Sequence, residues 1–263
     1  MGQESIDFKK IWFFSHCQTD KLLEISKMLD NSSFDSALVP FRSGISDPII
    51  KSFFILSNTK KIKVIAALPG YAATSEYIAM VVLAIKEIFP ERTFYINVVE
   101  GGPTENPSKF NVERKNIKNI NKIFIKELLD KSYAKIMVSG KSQHTSNNAI
   151  EHNAKQLVLF EDLSLIDSQR YKDVYARVFI CVADTDENAN LLFNSIIDKY
   201  ESDPEFNKNL IERIKKNIIC GSKNTVCNKV INLKRIGLGG VLVSDLIGSN
   251  MEKEVIDVME DIK

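Results

Sequence analysis

Cysteine is scarce in this sequence: four in 263 residues, at positions 17, 181, 220 and 227, with no C-x-x-C pair. That spacing excludes a thioredoxin-type redox motif and the paired-cysteine zinc sites. It offers no disulfide framework either, and a chain of this length needs none to bury a core. Histidine is scarcer still, with three residues and no H-x-x-x-H or H-E-x-x-H spacing, so no metal site is expected. Charge of one sign is also lacking. Lys and Arg number 35 against 34 Asp and Glu, a net charge of +1, which leaves no field to gather nucleic acid or an anionic membrane. No apolar run approaches the roughly 20 residues of a membrane-spanning helix. The opening MGQESIDFKKIWFF holds only IWFF as an apolar stretch, too little for a secretory signal. A cytoplasmic protein with reduced thiols is the expectation.

What is present is alternation. Strand-like apolar runs at residues 11–14, 36–39, 62–68, 93–99, 135–138, 156–160, 175–182 and 240–243 are separated by helix-like segments. Pro40, Pro69-Gly70, Pro90 and Glu100-Gly101-Gly102 close several of these segments, as chain-breaking residues should. Several strands are continuous apolar runs, the pattern of parallel strands covered on both faces. Eight strand-then-helix units predict a parallel sheet with crossover helices. A chain of 263 residues accommodates one closed (β/α)8 barrel, which takes about 250; an open eight-stranded sheet is the alternative. No linker divides the chain, so residues 1–263 read as a single domain. Two helices predicted at 204–217 and 223–236 lie between the seventh and eighth strands, and residues 161–173 read as a polar loop.

In a parallel barrel, chemistry sits on the loops after the strands. The residues there are Ser15-His16-Cys17, Arg42-Ser43, Pro69-Gly70-Tyr71, Asn97 with Glu100-Gly101-Gly102, Ser139-Gly140-Lys141-Ser142 and Ser244-Asp245. The strongest local signal is Ser139-Gly140-Lys141-Ser142, which follows a strand and opens a helix. Free N–H groups at a helix start bind phosphate, and Lys141 with two hydroxyls would add donors. The alternative reading of Ser142 is a helix cap alone. A P-loop does not fit, because Lys135 stands where that motif requires its first glycine. Of the histidines, His16 lies at a strand end where a titrating group suits acid–base work. His152, near a helix end, reads as structural.

The segments FDSALVP (34–40), KVIAALPG (63–70) and FYINVVEGG (94–102), in this order and spacing, resemble the alkanesulfonate monooxygenase branch of the bacterial luciferase-like flavin proteins. IWFFSHC at the start is similar to that family's first strand, which ends near a histidine. SGKS followed by AIEH (149–152), and RVFICVADTDE (177–187), extend the resemblance along nearly the whole chain. It implies a luciferase-like (β/α)8 barrel, often dimeric, and an enzyme: an FMN-dependent monooxygenase whose reduced FMN comes from a partner flavin reductase. The implied partners are a small organic substrate, the reductase, and a second subunit in a homodimer or heterodimer, with neither nucleic acid nor membrane. By position, Ser139, Gly140, Lys141 and Ser142 would hold the flavin phosphate, Leu68 and Asn97 would meet the flavin ring, and His16 and Arg177 would line the substrate pocket. A deazaflavin, hydride transfer, or a non-catalytic flavin-binding subunit are the alternatives. Phe179 replaces the family's strand-seven histidine, Ile45 replaces a cysteine, and the insertion after the fourth strand is short. These departures argue against an alkanesulfonate substrate.

Overall fold

The computed structural model describes residues 7–15, 19–41, 47–100, 107–204 and 206–262. The chain divides by contacts into two compact units, Ser36–Leu157, and Met1–Asp35 together with Val158–Lys263.

In the unit Ser36–Leu157, β2 (Ser36–Val39), β3 (Lys63–Leu68), β4 (Phe94–Val99), β5 (Lys135–Ser139) and the start of β6 (Lys155–Leu159) pair in sequence order, all parallel. The register runs through Val39 opposite Ala66, Ala66 opposite Ile96, and Ile96 opposite Ile136. Val39, Ala66 and Ile96 are fully buried, as the continuous apolar runs require of strands covered on both faces. The crossovers are α2 (Pro48–Asn58), α3 (Ser75–Ile88), α4 (Ile117–Lys131) and α5 (Gln143–Glu151). Helix α2 starts where the sequence marks it. The Asp47 carboxylate accepts from the N–H groups of Ile49 and Ile50 at 2.7 and 2.9 Å, and Pro48 takes the first turn. Helix α3 buries Ile78, Val82 and Ile85 at helical spacing. At the N-terminal end of the strands, Arg92 donates to the carbonyls of Leu56, Thr59 and Ile62, tying the end of α2 to the entries of β3 and β4.

The other unit contains β1 (Lys9–Phe13), β7 (Val174–Ala183), β8 (Ile218–Ser222) and β9 (Gly240–Ser244), again parallel, in the order β1-β9-β7-β8. Its helices are α1 (Thr19–Asp30), α6 (Asp186–Ser202), α7 (Lys208–Lys216), α8 (Lys223–Arg235) and α9 (Glu252–Glu260). Trp12, Phe14 and Phe179 are almost fully buried, and Phe34 meets the Trp12 ring edge-on at 5.8 Å. Gly240 has no substitute: a Cβ there would lie 2.3 Å from the Lys9 carbonyl oxygen. Lys10 is buried, and its ammonium donates to Ser33 Oγ, the Met259 carbonyl and the Ile262 carbonyl at 2.6, 3.0 and 2.9 Å. Three acceptors match its three N–H bonds; one of them, the Met259 carbonyl, is in the last turn of α9, where the helix dipole favours a cation, and another, that of Ile262, lies just past its end.

One strand departs from the expectation. Residues 218–222, which separate two predicted helices, form β8 against the second half of β7, with Phe179 opposite Ile218 and Ala183 opposite Ser222. The strand expected as the eighth is therefore β9. Strand β7 is ten residues long; its first half carries β9 and its second half carries β8. The segment expected as a loop at 161–173 is two 3-10 turns, Phe160–Leu165 and Ser168–Asp173.

Candidate functional site

Two groups of polar side chains stand at C-terminal strand ends, one in each unit. In the unit Ser36–Leu157, Leu68 ends β3 and pairs with Val98 of β4. One residue back on β4, the Asn97 amide is buried and meets the Ser139 hydroxyl of β5, with Nδ2 at 2.9 Å and Oδ1 at 3.0 Å from Oγ. An amide carries two N–H donors and two lone pairs, so Ser139 uses only one of each. The next turn depends on a glycine. Gly140 has φ +141, and a Cβ on it would lie 2.9 Å from Thr145 Oγ1. Its N–H donates to the Leu157 carbonyl at 3.0 Å, and its own carbonyl accepts from buried Gln156 at 2.8 Å.

Ser142 caps α5: its Oγ accepts from the Thr145 N–H at 3.1 Å. The same hydroxyl donates to Glu100 Oε1 at 3.0 Å, and the Thr145 hydroxyl donates to that oxygen at 2.8 Å. The helix N-terminus, with its partial positive charge, thus already faces an anion supplied by the chain. Lys141 is exposed beside it. The structure brings Asn97, Ser139, Gly140 and Ser142 together, and with them Thr145 and Gln156, for which no local sequence signal exists. Glu100 stands among the expected strand-end residues, but its partner is the start of α5.

In the other unit, the Arg177 guanidinium of β7 lies over the Phe13 ring of β1, 3.7 Å from its centroid, and 5.0 Å from that of Phe179. This is cation–π geometry, strongest where water is excluded. At the ends of β1 and β9, Ser15 Oγ donates to Asp245 Oδ1 at 3.1 Å, and both residues are buried. Burial, with the charge of Glu252 adding to it, pushes the Asp245 carboxyl up to about 6, against the hydrogen bond from Ser15. The neighbouring Ser244 hydroxyl is fully buried and makes no hydrogen bond to the described residues. His16, Cys17 and Ile45 lie outside the described residues. His144 is bound to the Lys118 carbonyl at 2.9 Å, and His152 closes α5. Among the described residues no helix is long and apolar enough to cross a membrane, and no three His, Cys, Asp or Glu side chains could jointly hold a metal ion.

No protein-family model matches the chain, and no curated protein matches it in sequence. Solved structures do match its shape. Apo-MsnO8 is similar with a TM-score of 0.75 and 11% identity, over 97% of this chain and 98% of that one. The oxygenating constituent of 3,6-diketocamphane monooxygenase from Pseudomonas putida, a type II Baeyer–Villiger monooxygenase solved with FMN, is similar at a TM-score of 0.70 and 13% identity, over 96% and 97%. The riboflavin lyase RcaE, solved with a modified FMN and riboflavin, is similar at 0.75 and 12%, over 97% and 91%. Likeness over nearly the full length of each chain shows the fold: a parallel (β/α)8 barrel.

Proposed function

We propose that this chain is a luciferase-like, FMN-dependent monooxygenase of the two-component type, one barrel domain over residues 1–263. In this reading a separate flavin reductase supplies its reduced FMN, and it oxygenates a small organic substrate. The observation that carries the reading is the full-length likeness to an oxygenating constituent solved with FMN. Reduced flavin supplies the electrons that activate oxygen; the chain's own part is to bind, orient and exclude water.

The residues suit that division of labour. The spare donor and acceptor of the Asn97 amide match a heterocycle edge bearing N–H and C=O groups, and Leu68, whose register partner is Val98 and not Asn97, meets the ring in this reading as the end of β3. Residues 139–142 and Thr145 offer helix N–H groups, hydroxyls and the Lys141 charge to a phosphate. Glu100 opposes this last role, because its carboxylate already takes the Ser142 and Thr145 hydroxyls. A flavin phosphate therefore binds here only by displacing Glu100. Arg177, held on Phe13, and His16 serve the substrate in this reading. Supplying reduced FMN and labelled oxygen with candidate substrates tests it: one labelled atom in the product supports a monooxygenase. Turnover without oxygen uptake would instead indicate hydride transfer, and flavin binding without turnover a non-catalytic subunit.

A second subunit belongs to the proposal. Ile50 and Phe53 on α2 and Tyr77, Met80, Leu83 and Ile88 on α3 are exposed. The α3 residues recur at three- to five-residue steps, and clustered exposed apolar groups mark interfaces. Light scattering at micromolar concentration distinguishes a dimer of this chain, a monomer, or a monomer that pairs only with a different subunit.

A further inference from the structure

Strands β7 and β8 set two cysteines side by side. Cys181 is directly opposite Cys220 in the parallel register, and in-register residues of adjacent strands present their side chains on the same face of the sheet. Neighbouring strands lie about 4.8 Å apart, inside the roughly 4.4–6.8 Å between Cα atoms that a disulfide spans. Strand β8 is paired only to β7 among the described strands, so no second ladder holds it in place. We propose that Cys181 and Cys220 form a site of reversible oxidation, a dithiol that hydrogen peroxide converts to a disulfide joining β7 to β8.

The two thiols differ in the way such a reaction needs. Cys220 is partly exposed, whereas Cys181 is fully buried, with its sulfur 3.6 Å from the Ala189 carbonyl. The adjacent Cys181 thiol holds the Cys220 thiol below its ordinary pKa. The Lys229 charge helps, while burial and Asp186 oppose. Lys229 is anchored close by, its ammonium 3.1 Å from the Cys220 carbonyl oxygen. Cys181 is pushed the other way, first by the neighbouring Cys220 thiol and then by burial. Cys220 is therefore the attacking thiolate and Cys181 the resolving thiol. In the first step the Cys220 sulfur attacks peroxide; the O–O bond breaks, a sulfenic acid forms, and hydroxide leaves as water. Loss of the thiolate charge removes what kept Cys181 protonated. The Cys181 sulfur then attacks the Cys220 sulfur, the S–S bond forms, the S–O bond breaks, and the Cys181 proton leaves with the hydroxide as a second water. Two thiols lose two electrons and two protons, and one peroxide becomes two waters. Cys227 supplies an internal control: burial raises its pKa, and its sulfur contacts the Val258 carbonyl at 3.5 Å.

The test uses the full chain, fully reduced and then treated with equimolar hydrogen peroxide at neutral pH. Remaining thiols are alkylated in denaturant and the tryptic peptides weighed. The expected product is residues 178–199 joined to residues 217–223, lighter than the two peptides by two hydrogens, separated by dithiothreitol, with Cys227 still alkylated. Before oxidation, Cys220 should react with iodoacetamide about ten-fold faster than Cys227, and Cys181→Ser should slow it. With Cys181→Ser, peroxide should leave Cys220 as a sulfenic or sulfinic acid without a bridge. The proposal fails if the wild-type chain takes no bridge at equimolar peroxide, if Cys220 pairs with Cys17, Cys227 or a second chain, or if Cys220 goes to sulfinic acid while Cys181 stays a free thiol.

Discussion

Asp245→Asn should make this protein more stable at neutral pH, an unusual outcome for a change at a buried polar site. The carboxyl sits at the end of β9 with its pKa raised from 3.8 to about 6, chiefly by burial. The sign follows from proton binding. Below pH 3.8 the group is protonated in both folded and unfolded chains, so it costs nothing. As pH rises from 3.8 toward 6 the unfolded chain releases the proton while the folded chain keeps it, and stability falls. Above 6 both are ionised and the cost is complete. A rise of about 2 pH units, at roughly 1.4 kcal/mol per unit, amounts to about 3 kcal/mol. Asparagine keeps the shape and an acceptor for the Ser15 hydroxyl without the charge. Urea unfolding from pH 4.5 to 8 should therefore show the variant gaining up to about 3 kcal/mol over the wild type at pH 8. The gain should shrink steadily toward pH 4.5. A pH-independent difference, or a variant less stable at pH 8, would refute the account. A carboxylate kept at such a cost points to a functional role, so the stabilised variant should lose turnover.

Glu100→Gln should tighten FMN about ten-fold or more, since a dianion no longer meets a carboxylate at the start of α5. Riboflavin, lacking the phosphate, should bind the two forms alike in a fluorescence titration; equal gains for both flavins would place the phosphate elsewhere. Gly140→Ala should cost ~1–3 kcal/mol, because φ +141 is hostile to a side chain. Gly240→Ala should cost more and cut soluble yield, since its Cβ would meet the backbone oxygen of Lys9 at 2.3 Å rather than a side chain that can turn away; denaturant midpoints would rank the two.

Much of the fold was legible because parallel strands buried on both faces must read as unbroken apolar runs. Ser36–Val39 and Lys63–Leu68 appear almost within their true limits. The start of α2 has an equally local cause, since Asp47 caps the N–H groups of Ile49 and Ile50 and Pro48 takes the first turn. Strand β8 was not. IICGS is five residues with a glycine and a serine, too short and too mixed to show a period. What makes it a strand is the overlong second half of β7, some 40 residues earlier in the chain, which offers a row of backbone groups to pair.

The candidate site divides along the same line between local and distant causes. Ser142 is a cap by its own position, and the sequence shows it. A helix N-terminus favours a negative partner, however, and Ser-Gly-Lys-Ser looks the same whether that partner is a ligand or a carboxylate. Only the pairing of β4 with β5 brings Glu100, 42 residues before Ser142, to the start of α5. Phe179 shows the converse. Read along the sequence, it is a missing histidine and argues against an alkanesulfonate substrate. In the structure, Arg177 lies 3.7 Å above the Phe13 ring and 5.0 Å from that of Phe179. A protonated imidazole at residue 179 would repel the guanidinium, whereas a phenyl ring presents its negative face to it. The phenylalanine and the seat of Arg177 are therefore one feature: a cation stabilised by two aromatic rings, in an environment that a second titrating group would disturb.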